Sequence, residues 1–152
     1  MAEITSRQAA AIASRGKMSP SSAGVMRVSV IRSPATVTWA QNDTCGNRDR
    51  IPAGSRILGS FISSAAAGAS VTLSVGLRAW TADGSGTVVD AAAINNAVAA
   101  SSAINGFNAG GVLVTSGAEY VTTQDTEPFF TLGGATPTAN AQVVVTVVYI
   151  AP

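Results

Sequence analysis

The 152-residue chain has no histidine, so any acid–base or nucleophilic chemistry would fall to eight carboxylates, Cys45 and Lys17. Ser–His and Cys–His arrangements are excluded at once, since both need an imidazole base. A Ser–Lys pair would have to use Lys17, which lies in an irregular N-terminal stretch. Cys45 would need a neighbouring base, and only carboxylates are on offer, so it reads as an inert thiol. Alone, it forms no internal disulfide and points to no metal site.

The acids fall in pairs: Asp43 with Asp49, Asp83 with Asp90, Asp125 with Glu127. Two carboxylates are enough for glycoside hydrolysis. Each of these, however, reads as a solvated loop acid or, at Asp90, as a helix cap, and nothing around them suggests a cleft. Asp83-Gly84-Ser85-Gly86-Thr87 offers oxygens to a calcium ion but lacks the acidic spacing of an EF-hand, so it reads as a turn. No lysine follows Gly84-Ser85-Gly86, which rules out a phosphate loop. The aromatics, Trp39, Phe61, Trp80, Phe107, Tyr120, Phe129, Phe130 and Tyr149, do not fall in line as a sugar platform would. They read as core or interface packing. The expectation is a protein with no catalytic residues, no cofactor and no metal.

The elements around these residues are organised on residues 49–80. Ile51-Pro52-Ala53-Gly54 fits a type I turn. Residues 55–63 have enough Ile, Leu and Phe for a strand, and Ala65-Ala66-Ala67-Gly68 breaks it. Val71, Leu73, Val75, Leu77 and Ala79 then share one face, with Thr72, Ser74, Gly76, Arg78 and Trp80 on the other, the period of a strand with one face in a core.

Residues 1–24 read as an arm. An alanine-rich stretch at 8–14 is too short for an isolated helix, and glycine, serine and proline follow it. The choice lies between a disordered tail and an extended arm that orders on a neighbouring subunit; the second is preferred. Residues 25–152 read as one domain. Strands are expected at 25–32, 35–40, 87–89, 112–115, 119–123 and 128–132, with a polar loop at 41–50. Asp90 looks like an N-cap, and Ile94, Ala97 and Val98 share a helical face, so residues 91–103 are expected to form one helix. Residues 141–150, AQVVVTVVYI, are nearly all β-branched and apolar, as in a strand buried on both faces. About eight short strands with Gly- and Pro-rich turns argue a β-sandwich, a jelly roll or a barrel.

Hydrophobic residues make up 47% of the chain and charged ones 11%, against about 25% charged in ordinary soluble domains. So sparsely charged a surface suits a protein that becomes covered by partners. The net charge of +1 hides an asymmetry. Arg7, Arg15, Lys17, Arg27 and Arg32 against Glu3 give residues 1–32 a charge of +4, and the remainder carries −3. The two parts attract each other, or the opposite parts of neighbouring copies. The basic arm has no aromatic residue, which argues against nucleic acid as a partner. No apolar run is long enough to span a membrane, and the N-terminus lacks a signal peptide's apolar core, so synthesis in a cytoplasm is expected.

A polar loop with Asp, then Ile-Pro-Ala-Gly-Ser-Arg-Ile-Leu, Gly-Ala-Ser-Val-Thr-Leu-Ser-Val-Gly, Asp-Ala-Ala-Ala-Ile and a late β-branched strand together resemble small structural proteins of tailed bacteriophages. Among these the chain looks most like head decoration, or cement, proteins, over residues 25–150. The resemblance implies an all-β, jelly-roll-like sandwich, here with one short helix and an extended N-terminal arm. It implies a homodimer or homotrimer on the outer capsid surface of the virion, made in the host cytoplasm. Its partners would be the major capsid protein and its own copies, with neither nucleic acid nor membrane. Such proteins bridge capsid subunits and stabilise the shell; Arg7, Arg15 and Lys17 would then be arm contacts to acidic capsid surface. A carbohydrate-binding or adhesive β-module of a phage tail or receptor-binding apparatus is the alternative.

Overall fold

The computed structural model describes residues 25–107 and 120–152. They form nine strands: β1 Met26–Arg32, β2 Asp43–Gly46, β3 Arg56–Ser64, β4 Thr72–Ala79, β5 Val88–Ala99, β6 Ile104–Phe107, β7 Tyr120–Val121, β8 Thr126–Gly133 and β9 Val143–Ile150. One sheet runs β1-β9-β3-β6, with β7 also on β3; the other runs β2-β8-β4-β5. We call them sheet A and sheet B. Every pairing is antiparallel. With the two-residue β7 set aside, the strands couple first to last and inward from there: β1 with β9, β2 with β8, β3 with β6, β4 with β5. That is an antiparallel ribbon rolled into two layers, the jelly roll. The expected all-β sandwich is therefore present. The arm expected at 1–24 and the strand at 112–115 lie outside the described residues.

Alternation builds the core. From sheet A, Ile31, Ile57, Ile62, Val143, Val145 and Val147 point inward and are buried. From sheet B, Val71, Leu73, Val75, Leu77, Phe130 and Leu132 meet them. The β4 residues are the apolar face expected from the period of two. Trp39 closes one end, its indole N–H donating to the Ala141 carbonyl at 3.1 Å and its ring 5.9 Å from that of Phe130. Ser60 of β3 and Asn95 of β5 form a buried hydrogen bond between the sheets.

Four local expectations are corrected. The turn before β3 is one residue later and of type II: Gly54 has φ of 81°, and Ser55 N–H donates to Pro52 C=O at 3.2 Å. Glycine at the third position permits that geometry without strain. Residues 35–40 make no strand. Side chains satisfy their backbone instead, Asn140 Oδ1 accepting from Val37 N–H and Gln142 Nε2 donating to Pro34 and Ala35 carbonyls. The paired strand lies in the expected loop, as β2.

The fourth correction is the helix expected at 91–103, where the chain is extended as β5 and paired with β4. Alanine's helix propensity is a weak preference that tertiary pairing overrides. The register of β5 slips three times against β4, and Ala97 takes a φ of 47°. Asp90 is no N-cap; its Oδ1 accepts from Ala92 N–H at 2.9 Å, a local Asx turn at the slip. The bulged backbone crosses close over Gly76, where a Cβ would lie 2.5 Å from the Asp90 carbonyl oxygen. Gly76→Ala should therefore destabilise the fold by about 1–3 kcal/mol, as overpacking does, read as a lower urea midpoint with an unchanged m-value.

Candidate interaction surface

The residues considered for chemistry are spent on structure. Asp43 Oδ2 accepts from Ala40 N–H at 2.7 Å. Asp49 Oδ2 accepts from Ser29 Oγ and Asn47 Nδ2 at 2.9 and 2.7 Å, tying the 47–49 loop to β1. Asp125 accepts from Ala53 N–H and Arg50 Nε, which hold its carboxyl below its ordinary range. Asp83 accepts from the Ser85 hydroxyl at 2.7 Å and the Ser85 N–H at 3.1 Å; these bonds, the hydroxyl first, lower its pKa from 3.8 to about 2. The loop considered for calcium thus closes on itself. Among the described residues no three His, Cys, Asp or Glu side chains gather as metal ligands. Cys45 is half-buried with Sγ 3.9 Å from the Arg32 carbonyl, and burial pushes its thiol pKa up, against thiolate reactivity. Arg7, Arg15 and Lys17 lie outside the described residues.

Glu127 departs from the expectation of a solvated loop acid. It lies within β8, fully buried, and accepts from Arg48 N–H at 2.8 Å and from Arg78 Nη2 at 2.8 Å and Nε at 3.3 Å. Three donors on one carboxylate are what a buried charge requires. The Arg78 guanidinium also stands 5.6 Å over the Phe129 ring. Phe129 sits in register between Gly46 of β2 and Gly76 of β4; the space over Gly46 is taken by the Glu127–Arg78 pair and that over Gly76 by the β5 backbone. Beyond it, Arg50 lies 5.7 Å over Trp80, whose indole N–H donates to the Arg48 carbonyl. The outer face of sheet B is covered here by its own chain, and Trp80 and Phe129 are both committed to that cover.

Sheet A is different. Its register aligns outward-facing side chains in rows across the strands: Met26, Ile150, Arg56 and Val121; Val28 and Val148; Val30, Thr146, Phe61 and Phe107. An irregularity between Ile57 and Gly59 makes Leu58 an extra residue that also faces out. Met26 is 67% exposed, Val28 59%, Phe107 56% and Val121 49%, with Phe61 and Leu58 near 40%. The five strands of sheet A contain no carboxylate, and their cations are Arg27, Arg32 and Arg56. Among the described residues this apolar face is the candidate interaction surface. Residue-level reading assigned Phe61 and Phe107 only to core or interface; the signal that marks the face is the two-sided apolar run of β9.

No protein-family model and no curated protein matches the sequence. Two solved structures are similar. One is a chain of the cyanophage Pam1 capsid asymmetric unit, 20% identical over 85% of this chain and 86% of that one, with a TM-score of 0.54. The other belongs to the acid-stable capsid structure of Helicobacter pylori bacteriophage KHP30, 15% identical over 84% of this chain and 94% of that one, with a TM-score of 0.44. Both come from phage capsids. At 20% identity the first likeness is one of fold.

Two outcomes follow from the polar clamp. Glu127→Ala strands the Arg78 charge in a buried site and should cost about 3–5 kcal/mol, measured by urea unfolding, with Arg50→Ala at the exposed Asp125 pair costing under about 1 kcal/mol. The Asp83 carboxyl should titrate near pH 2 by NMR. Its folded pKa is depressed, so its stabilising contribution is present above pH 4 and is lost as pH falls through 2; Ser85→Ala should move the titration back toward 3.8.

Proposed function

We propose that this chain is a structural protein of a phage virion that binds the outside of the capsid, bridges major capsid subunits and stabilises the shell. The observation that carries the reading is a jelly roll like that of a chain in a phage capsid asymmetric unit, joined to an apolar face that the described residues leave exposed. The sequence resemblance to cement proteins and the low charge point the same way. In this role residues 25–152 are the domain seated on the shell, as a homodimer or homotrimer. Residues 1–24 are an arm that follows the shell, with Arg7, Arg15 and Lys17 meeting acidic capsid surface. An arm that orders on binding loses conformational entropy, which wide contact must offset. Many modest contacts on a symmetric lattice then add through avidity.

Shells of the encoding phage assembled without this protein should bind the purified chain to saturation, at a fixed ratio to the major capsid protein, and should then resist heating to a higher temperature. Alanine at Arg7, Arg15 and Lys17 together should lower occupancy several-fold; unchanged occupancy would remove the arm from the contact. Failure to bind the shell, together with capture on a glycan array, would instead support the adhesive module.

A further inference from the structure

We propose that the outer face of sheet A is the seat of a second copy of this chain, so that the protein is a two-fold dimer with two sheets A stacked face to face. The pattern of β9 states the need. Val143, Val145 and Val147 are buried in the core, while the intervening Val144, Val148 and Ile150 face outward. A strand apolar on both faces belongs to a sheet covered on both faces, and within the described residues sheet A is covered on one. Sheet B shows what self-cover looks like: Arg78 over Phe129, and Arg48 on Glu127.

Three observations favour a second copy as the cover. The first is area. Six large apolar side chains spread over the face, Met26, Val28, Leu58, Phe61, Phe107 and Val121, are each more than a third exposed, the contiguous kind of apolar patch that marks an interaction site. The second is where the charges sit. Arg32 and Arg56 fall at opposite ends of the sheet, in the rows of Val144 and Ile150, and the rows between carry none. A face-to-face contact centred on Val148, Phe61 and Phe107 buries no charge and leaves the arginines at the margin. The third is timing. With 11% charged residues the chain has little repulsion to keep such a face apart from others in solution. The molecule present in equal amount from synthesis onward is another copy, and a contact made by the same patch on both partners closes on itself as a dimer. Flat sheet faces stack about 10 Å apart with their side chains interdigitated. Phe61 and Phe107, directly paired across β3 and β6, are the aromatic anchors of that contact.

Such a dimer deepens the oligomer in the reading above but forms without a shell, so its failure and the failure of shell binding are separate results. The test is sedimentation of the full chain at tens of micromolar. We expect a species of twice the 15.1 kDa chain mass. Phe61→Asp and, separately, Phe107→Asp should each raise the dissociation constant at least 100-fold, with the far-ultraviolet spectrum of a β-protein retained. Val88→Asp, on exposed β5 of sheet B, should leave the dimer intact. A photo-crosslinking p-benzoylphenylalanine in place of Phe107 should yield a covalent dimer, which keeps the test open if an aspartate variant fails to fold. A monomeric wild-type chain, a three-fold assembly, or a dimer indifferent to both aspartates and uncrosslinked from position 107 would overturn the proposal. The face would then belong to residues 1–24 or to another protein.

Discussion

β9 pairs with β1 on one side and β3 on the other, and this double register decides what the protein hides and what it shows. Side chains alternate strictly along a strand, so a slip of one residue would exchange the buried valines of β9 for the outward ones. Both sets are apolar, and hydrophobicity alone therefore does not fix the register. A slip would carry the outward Thr146 hydroxyl into the core, and hydrogen bonds set the facing of the two strands that β9 joins. Ser60 must face inward to reach Asn95, and Ser29 must face the loop that holds Asp49 and Asn47. The irregularity at Leu58 adjusts β3 so that Ser60 and Ile62 point inward while Phe61 points out.

The two outer faces solve the same problem in opposite ways. On sheet B, Gly76 lets the β5 backbone cross close over the sheet and Gly46 leaves room for the Glu127–Arg78 pair, while Phe129 lies between the two glycines under the β4 cation. That arrangement requires a buried carboxylate to hold the cation, and Glu127 in turn takes the Arg48 backbone N–H, fixing the loop after β2. Any side chain on Gly46 would run into Glu127 and Arg78. The cover is local, covalently attached and tightly specified. On sheet A the outward rows hold branched and aromatic side chains, with cations at the ends and no carboxylate within the strands themselves.

The legibility of the sequence follows from the range of the forces involved. The strands β1, β3, β4 and β9 were readable because their alternation, or their continuous branched run, is a local pattern. β5 was misread because its alanines and the Asp90 position favour a helix locally, while the pairing with β4 that holds it extended joins residues far apart in sequence. Glu127 was misread for a related reason. Between Asp125 and Pro128 it looks like a loop acid, and only the ladder with β4 brings Arg78 beside it. Residues 35–40 show the converse, since two bulky residues on one side suggested a strand where Asn140 and Gln142 side chains replace the ladder. The exposed face was half legible: β9 announces that both of its sides need cover, but which neighbours complete the face depends on a strand order that no local pattern encodes.

A flat apolar face and an absence of converging chemical groups are two sides of one design. Catalysis needs titratable groups brought together in a concave, partly dry site. Here each described carboxylate with a partner is tied to a backbone N–H, a hydroxyl, an amide or an arginine of its own neighbourhood. That uses up the polar chemistry in fixing loops at the ends of the sandwich, and it leaves the broad side of sheet A geometrically simple. Binding through such a surface scales with shape and area more than with individual contacts, and a few buried aromatics concentrate its energy. The outward rows of sheet A are held in register by the antiparallel ladders of β9 with β1 and β3.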